Sequence, residues 1–312
     1  PPEITLLSGP GCPVCVTAQA DIDAFIALSR EPETIIATFG DLMRVPGSDS
    51  SLQVERAEGR DIRVVYSVMD ALAVARQNPN HRVVFLGVGF ETTVPTIAAA
   101  ILAAKKEGIA NFLVYPAFKT VPPALCALVE ARGVDVDGFL LPGHVSVIIG
   151  LLGYEAFFKK HPTPCVVGGF EPVDILQAIA MLVRQTASGE KRLENGYPRA
   201  VTMKGNTKAQ EVMARVFTPM DAKWRGLGMI PQSGLDIRPE FSEFNAARIW
   251  DLQIPESVEP KGCACGDVLT GGKIPTECPL FRTACTPLDP VGPCMVSSEG
   301  TCAAYYRYHA PT

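Results

Sequence analysis

Short apolar runs alternate along the chain with longer stretches in which apolar residues recur every three or four positions. ITLL at 4–7, TIIATFG at 34–40, DIRVVYS at 61–67 and RVVFLGVGF at 82–90 read as strands, as do FLVYPAF at 112–118, DGFLLPG at 137–143 and PCVVGGF at 164–170. Helical periodicity fills the gaps, at 16–29, 68–77, 93–107 and 122–131, after the strand ending at 143, and at 173–187. Buried strands alternating with helices spell βαβ units and parallel sheets, hence an α/β fold.

One internal echo stands out. VGFETTVP at 88–95 and GGFEPVD at 168–174 each follow a strand and precede a helix. Each sets Phe-Glu at the carboxyl end of a strand, where open α/β sheets build their sites. The pattern predicts two similar parallel-sheet α/β domains, 1–87 and 88–195, meeting at a shared cleft. A third, C-terminal domain follows at 196–312. It opens with a helix at 206–217 and the stretch WRGLGMIPQSGLDI at 224–237. From Pro255 onward prolines, glycines and cysteines dominate and periodicity is lost. Such a segment, 255–312, buries too little apolar surface to hold itself and needs a staple.

The 312 residues are 47% hydrophobic and 20% charged, which allows sizeable cores, and the net charge of −5 comes without a long basic run. That argues against a nucleic-acid-coating surface and an anionic-membrane binder. The most apolar run, Phe139 to Leu152, is interrupted by Pro142, His144 and glycines, so no membrane-spanning segment is expected. With no signal peptide visible, a cytoplasmic protein is expected. The chain starts at Pro1 and enters an apolar run almost at once, which reads as a trimmed beginning.

Ten cysteines change the picture. For a large chain without an export signal, metal or redox use is favoured over a disulfide framework. Six fall between Cys263 and Cys302. They lack the paired CxxC knuckles of a zinc ribbon, and thiolates from separated loops suit an iron–sulfur cubane. A disulfide-stapled tail and a structural zinc site are the alternatives. In GPGCPVC, Cys12 and Cys15 lead into a helix, where a thiolate is stabilised, and Gly11 and Pro13 shape the turn. A redox dithiol is the sharper reading, and a stiff turn with buried thiols the blander one. Cys126 and Cys165 sit in apolar patterns, as small core residues do. Asp41 and Arg44, His144, Glu91 and Glu171 fall in strand-end loops. Glu91, His144 and Glu171 are candidates for polar work in the cleft. A hydrogen-bonded structural histidine and helix-capping carboxylates are the simpler alternatives.

GPGCPVC, TFGDLMRVPGS, GFETTVPT, LLPGHVS, VVGGFEPVDIL, CACGDVLTG, ECPLF, CTP and GPCMVSSEGTCAAYY together resemble the HypD family of [NiFe]-hydrogenase maturation factors, in order and over essentially the whole chain. The resemblance implies one [4Fe–4S] cluster. Its ligand pattern C-x14-C-x6-C-x16-C falls on Cys263, Cys278, Cys285 and Cys302. Cys265 and Cys294 are left over, to pair or to stay free. It further implies that Cys12 and Cys15 form a redox-active dithiol near the cluster. The implied partners are HypC and the cyanide donor HypE, and the implied role is a redox scaffold for assembling the Fe(CN)2CO unit rather than a free-standing turnover enzyme. The family also has a Cys-Gly-x-His motif that this chain lacks, expected upstream of Pro1. A dithiol or iron–sulfur oxidoreductase acting on a small substrate is the competing function.

Overall fold

The computed structural model describes residues 3–131, 136–250 and 259–309, together with 252, 254 and 257. Pro1, and Pro255 where the loop-rich segment was expected to begin, lie outside the described residues.

Four strands, β1 (Thr34–Thr38), β2 (Ile62–Val64), β3 (Arg82–Gly87) and β4 (Phe112–Pro116), form a parallel sheet in the order β2-β1-β3-β4. The period of two sorts their side chains between two cores. Ile36, Val84, Leu86 and Leu113 face one core, with helix α2 (Gln19–Arg30) and, through Leu52, α3 (Leu52–Ala57). Ile35, Ala37, Val83, Phe85, Phe112 and Val114 face the other, with α4 (Val68–Gln77), α5 (Val94–Glu107) and α10 (Thr207–Val216). A Ser67–Asp70 capping box starts α4, and Pro95 lies in the first turn of α5, where its missing N–H costs nothing.

The second sheet is also parallel, β5 (Phe139–Pro142), β6 (Cys165–Gly168) and β7 (Leu193–Asn195) in that order. Helices α6 (Val121–Glu130), α7 (Gly143–Ile149) and α8 (Glu155–Lys160) supply Leu125, Val147 and Phe157 to its core, and α9 (Pro172–Ser188) packs on its strands through Ala178. The expectation of two parallel-sheet α/β units holds. The division at residue 87 does not follow the sheets, because β4 pairs with β3 and carries the first sheet on to Pro116.

Two other expectations need correction. Residues 4–7 form no strand, and Leu6 is 66% exposed. The helix expected at 16–29 is two, a single turn α1 (Pro13–Val16) and α2, separated by extended Thr17 and Ala18. WRGLGMIPQSGLDI lies mostly in an antiparallel hairpin, β8 (Phe217–Trp224) with β9 (Gly228–Ile237). Gly226 and Gly228 turn it with φ of +78° and +75°, values that side chains disfavour. Phe217 and Ile237 enter one core and Trp224 and Ile230 the other, so the hairpin clasps the first sheet's layers together. After the hairpin come α11 (Ala246–Ile249) and, among the described residues of the C-terminal segment, the short helices α12 (Cys265–Leu269), α13 (Pro293–Val296) and α14 (Thr301–Tyr308).

Gly150 ends α7 with φ of +70°, and a Cβ there would collide with backbone atoms of Met203 and Gly205. Gly150→Ala is therefore expected to destabilise the protein by on the order of 2–4 kcal/mol, from strain and overpacking together. A fall in the urea midpoint followed by circular dichroism measures it, and an unchanged midpoint would refute it.

Candidate functional site

The order β2-β1-β3-β4 makes a switch point between β1 and β3, where the chain leaves in opposite directions and a crevice opens at the carboxyl ends. The cysteine-rich segment sits against this end of the sheet. After β1, Asp41 accepts a hydrogen bond from Ser297 Oγ at 3.0 Å, and Arg44 Nη1 donates to the carbonyl of Pro287 at 2.6 Å. The two polar residues noted in that loop thus fasten the segment.

Cys12 is the N-cap of α1, with Pro13 just inside it, and its Sγ accepts the backbone N–H of Cys15 at 3.2 Å. The two cysteines are disulfide-bonded, and both are buried. One turn of helix cannot stand alone, and α1 packs on α13. Cys15 Sγ lies 3.9 Å from the carbonyl of Pro293, the residue before Cys294.

All six C-terminal cysteines converge. Cys263, Cys265, Cys278, Cys285, Cys294 and Cys302 line one small cavity with Phe281, Gly292 and Met295. Loops and helix starts deliver them, because no regular element could bring so many thiols to one point. Gly292 is needed there, since a Cβ would stand 2.8 Å from Cys263 Sγ. The N–H of Val291 donates to Cys285 Sγ at 3.3 Å. The sulfurs of Cys265 and Cys294 approach to 2.8 Å. Hydrogen bonds from Cys263 and Cys294 hold the Cys265 thiol well below its ordinary range, with the positive charge of Arg225 adding to them. Cys263 and Cys294 are raised as the partners of that bond and by burial. Burial pushes Cys285 up. Among the described residues no three His, Cys, Asp or Glu side chains form a cage for a single ion. The donor set fits a multinuclear, thiolate-held group better than a lone metal. Cys165 lies apart in β6, fully buried and pushed up to about 12 by desolvation, and Cys126 is half-buried on α6.

The three cleft candidates do not share one environment. Glu91 is 3% exposed. Its Oε1 accepts the N–H of Val121 at 2.9 Å and so caps α6, a helix other than the one it precedes. Its Oε2 is buried without a partner, and burial raises the carboxyl to about 7. Its charge also bears on the Tyr154 hydroxyl, which shares a 3.0 Å hydrogen bond with Ser146. His144 and Glu171 are exposed at the carboxyl end of the second sheet, where the His144 ring stacks on Phe170 at 4.0 Å. Glu171 sits at the N-cap of α9 without a side-chain capping bond.

Sequence reasoning passed over the buried charges against the residues that follow the CPVC turn. Lys119 is 3% exposed, with Nζ 3.5 Å from Asp21 Oδ2, and Arg225, equally buried, donates to the carbonyl of Thr17 and to Gln19 Oε1. An arginine in a Gly-rich hairpin turn was the only available signal, and it does not tell a buried side chain from an exposed one.

The fold and site define a doubly wound α/β protein whose switch-point crevice is covered by a thiol-rich segment. Residues 1–309 match the HypD family profile, described as the hydrogenase formation hypA family. A putative hydrogenase expression/formation protein of Methanocaldococcus jannaschii is 44% identical over 99% of this chain and 86% of its own length. The hydrogenase maturation factor HypD of Rhizobium leguminosarum bv. viciae is 45% identical over 99% of this chain and 82% of its own length. The hydrogenase maturation factor HypD of Escherichia coli K12 is 43% identical over 99% and 83%. The chain belongs to the HypD family.

Glu91 gives a pH prediction. The fold holds its neutral form, so its contribution to stability is full below the ordinary carboxylate range and is lost as pH rises through about 7. By linkage the loss is on the order of 3 kcal/mol. Glu91→Gln keeps an acceptor for Val121 without a titrating proton. Urea midpoints at pH 5 and pH 8 should differ clearly less in the variant, and an equal difference would show that Glu91 is ionised throughout.

Proposed function

We propose that this chain is a hydrogenase maturation protein of the cytoplasm. It acts as a redox-active scaffold on which the Fe(CN)2CO unit of a [NiFe]-hydrogenase is assembled, with HypC-type and HypE-type partners. The observation that carries this reading is the placement of the disulfide-bonded CPVC turn against the chamber of six cysteines. Cys263, Cys278, Cys285 and Cys302 would hold a [4Fe–4S] cluster, and Phe281 and Met295 would keep water from it. When bound, such a cluster supplies single electrons.

The remaining work belongs to this chain's own side chains. Reducing the Cys12–Cys15 disulfide takes two electrons and two protons and breaks one S–S bond. The two thiols so formed are a store of two electrons for the assembly chemistry, and they remain a redox couple beside the cluster rather than ligands of it. Cys265 and Cys294 line the chamber with the four proposed ligands, and Cys294 follows Pro293, whose carbonyl lies 3.9 Å from Cys15 Sγ, so the dithiol stands beside the chamber wall. Glu91, raised to about 7 by burial, holds its proton to a higher pH than an ordinary carboxyl and is a proton source where the first sheet meets α6, and His144 and Glu171 offer polar contacts at the second sheet's carboxyl end.

Substitution separates the roles. Cys263→Ala, Cys278→Ala, Cys285→Ala and Cys302→Ala are each expected to lose the brown chromophore and most iron and sulfide, and to expose the C-terminal segment to proteolysis. Cys265→Ala and Cys294→Ala should keep iron nearly intact. If Cys265→Ala loses the cluster while Cys263→Ala keeps it, the ligand set is wrong. Cys12→Ser and Cys15→Ser should keep iron and sulfide yet fail to mature hydrogenase in cells. Iron loss in either would make the pair a ligand, and full activity in both would leave it a turn. Copurification with a small HypC-type partner distinguishes the scaffold from a free-standing dithiol oxidoreductase.

A further inference from the structure

One side chain joins the loop between Cys278 and Cys285 to the helix that carries Cys302. Arg282, inside that loop, has φ of +59°, a left-handed conformation that side chains disfavour. Its N–H donates to the carbonyl of Cys285 at 3.2 Å, and Phe281, just before it, bridges to Cys285. From there the guanidinium reaches the far end of α14. Its Nη2 donates to the carbonyls of Tyr306 at 3.1 Å and His309 at 2.5 Å, and to that of Tyr305 at 3.5 Å. Cζ stands 5.5 Å from the centre of the Phe281 ring and 5.4 Å from that of Tyr306, and the two rings meet edge to face.

The other end of α14 is seated on the chamber. Gly300, its N-cap, lies against the backbone of Cys294, where a Cβ would collide. Cys302 follows in the first turn and lines the cavity, as Phe281 does. Eight residues are too few for a helix to stand alone in water, and the last carbonyls of a helix find no partner inside it. A guanidinium at that end answers both those carbonyls and the negative end of the helix dipole. A side chain held in the left-handed region persists only where its surroundings fix it, and such residues gather at ligand clamps.

We propose that Arg282 is a positioning residue of the cluster site, clamping the loop between Cys278 and Cys285 to the end of α14 and so setting Cys302 and the Phe281 ring in the chamber wall. This rests on the reading of Cys263, Cys278, Cys285 and Cys302 as [4Fe–4S] ligands. A single nitrogen, Nη2, makes all three carbonyl contacts, so a lysine ammonium with its three protons can stand in for it. Glycine does the reverse, relieving the backbone while releasing the helix. Strain and clamp therefore pull Arg282→Gly in opposite directions.

The test follows iron leaving the full chain, purified under argon with its cluster, for the chelator bathophenanthroline disulfonate. Arg282→Gly should release iron about tenfold faster or more, the scale on which partners of metal ligands act. Arg282→Lys should stay within about threefold of wild type. With limiting alkylating agent, read by peptide mass, the glycine variant should be modified at Cys302 ahead of Cys263, whereas a general loosening would expose both alike. A wild-type or slower rate in Arg282→Gly would overturn the proposal and leave the cluster reading standing. So would a lysine variant as leaky as the glycine one, or equal labelling of Cys263 and Cys302 in the glycine variant. A glycine variant that arrives without iron while the lysine variant keeps it counts as the expected loss. A wild-type chain that holds no iron and sulfide even after reconstitution would overturn the ligand reading, and the proposal with it. Should Arg282→Gly not fold, by circular dichroism, Arg282→Gln, which removes the charge, decides in its place on the same outcomes.

Discussion

The seating of α1 on α13 is the contact on which the site depends. It joins residues 278 positions apart, Cys15 and Pro293, and it lets a segment of four- to eight-residue helices become part of a core. Alone, such helices are too short to be stable in water. Against the first sheet they share one core with Ile36, Val84, Leu86 and α2. The surface bonds from Asp41 and Arg44 are minor energetically, but they fix where the segment lies. Without this seating the C-terminal thiols would lie in a loop-rich tail, far from the dithiol.

The same burial that makes the core makes the chemistry. Thiols crowded together in an apolar cavity perturb one another, and where they are buried their charge has little solvent screening. The sequence echo at Phe90-Glu91 and Phe170-Glu171 shows how strongly environment decides. Phe90 is buried and stacks on Trp224 at 6.0 Å, while Phe170 is 54% exposed under His144. Glu91 is sealed in and raised to about 7, whereas Glu171 stands in solvent. Identical dipeptides at equivalent strand ends therefore carry different chemistry.

Most strands and long helices were legible because burial on both faces leaves an unbroken apolar run, and burial on one face leaves a helical period. Where that logic lapses, the reading failed. ITLL is apolar but pairs with no strand among the described residues, and so stays irregular. The β8–β9 hairpin carries prolines, glycines and exposed methionines that hide its alternation, yet it holds Trp224 in one core and Phe217 in the other. The boundary at residue 87 failed for a related reason. Strand pairing, which places β4 beside β3, leaves no mark on the local pattern.

What the sequence determined by itself was local and chemical: the alternation of strands and helices, the Gly and Pro that shape the CPVC turn, and the spacing of the C-terminal cysteines. Each follows from residues close together along the chain. Tertiary structure alone decided that six thiols meet in one cavity, that Cys265 and Cys294 approach each other, and that Glu91 is sealed from water. It also decided that Arg225 is buried against the residues that follow the CPVC turn. These are distances between residues remote in sequence, and their energies depend on how much water is excluded. Neither quantity is written in a residue's neighbours along the chain, and both exist only once the sheets and the hairpin have closed around it.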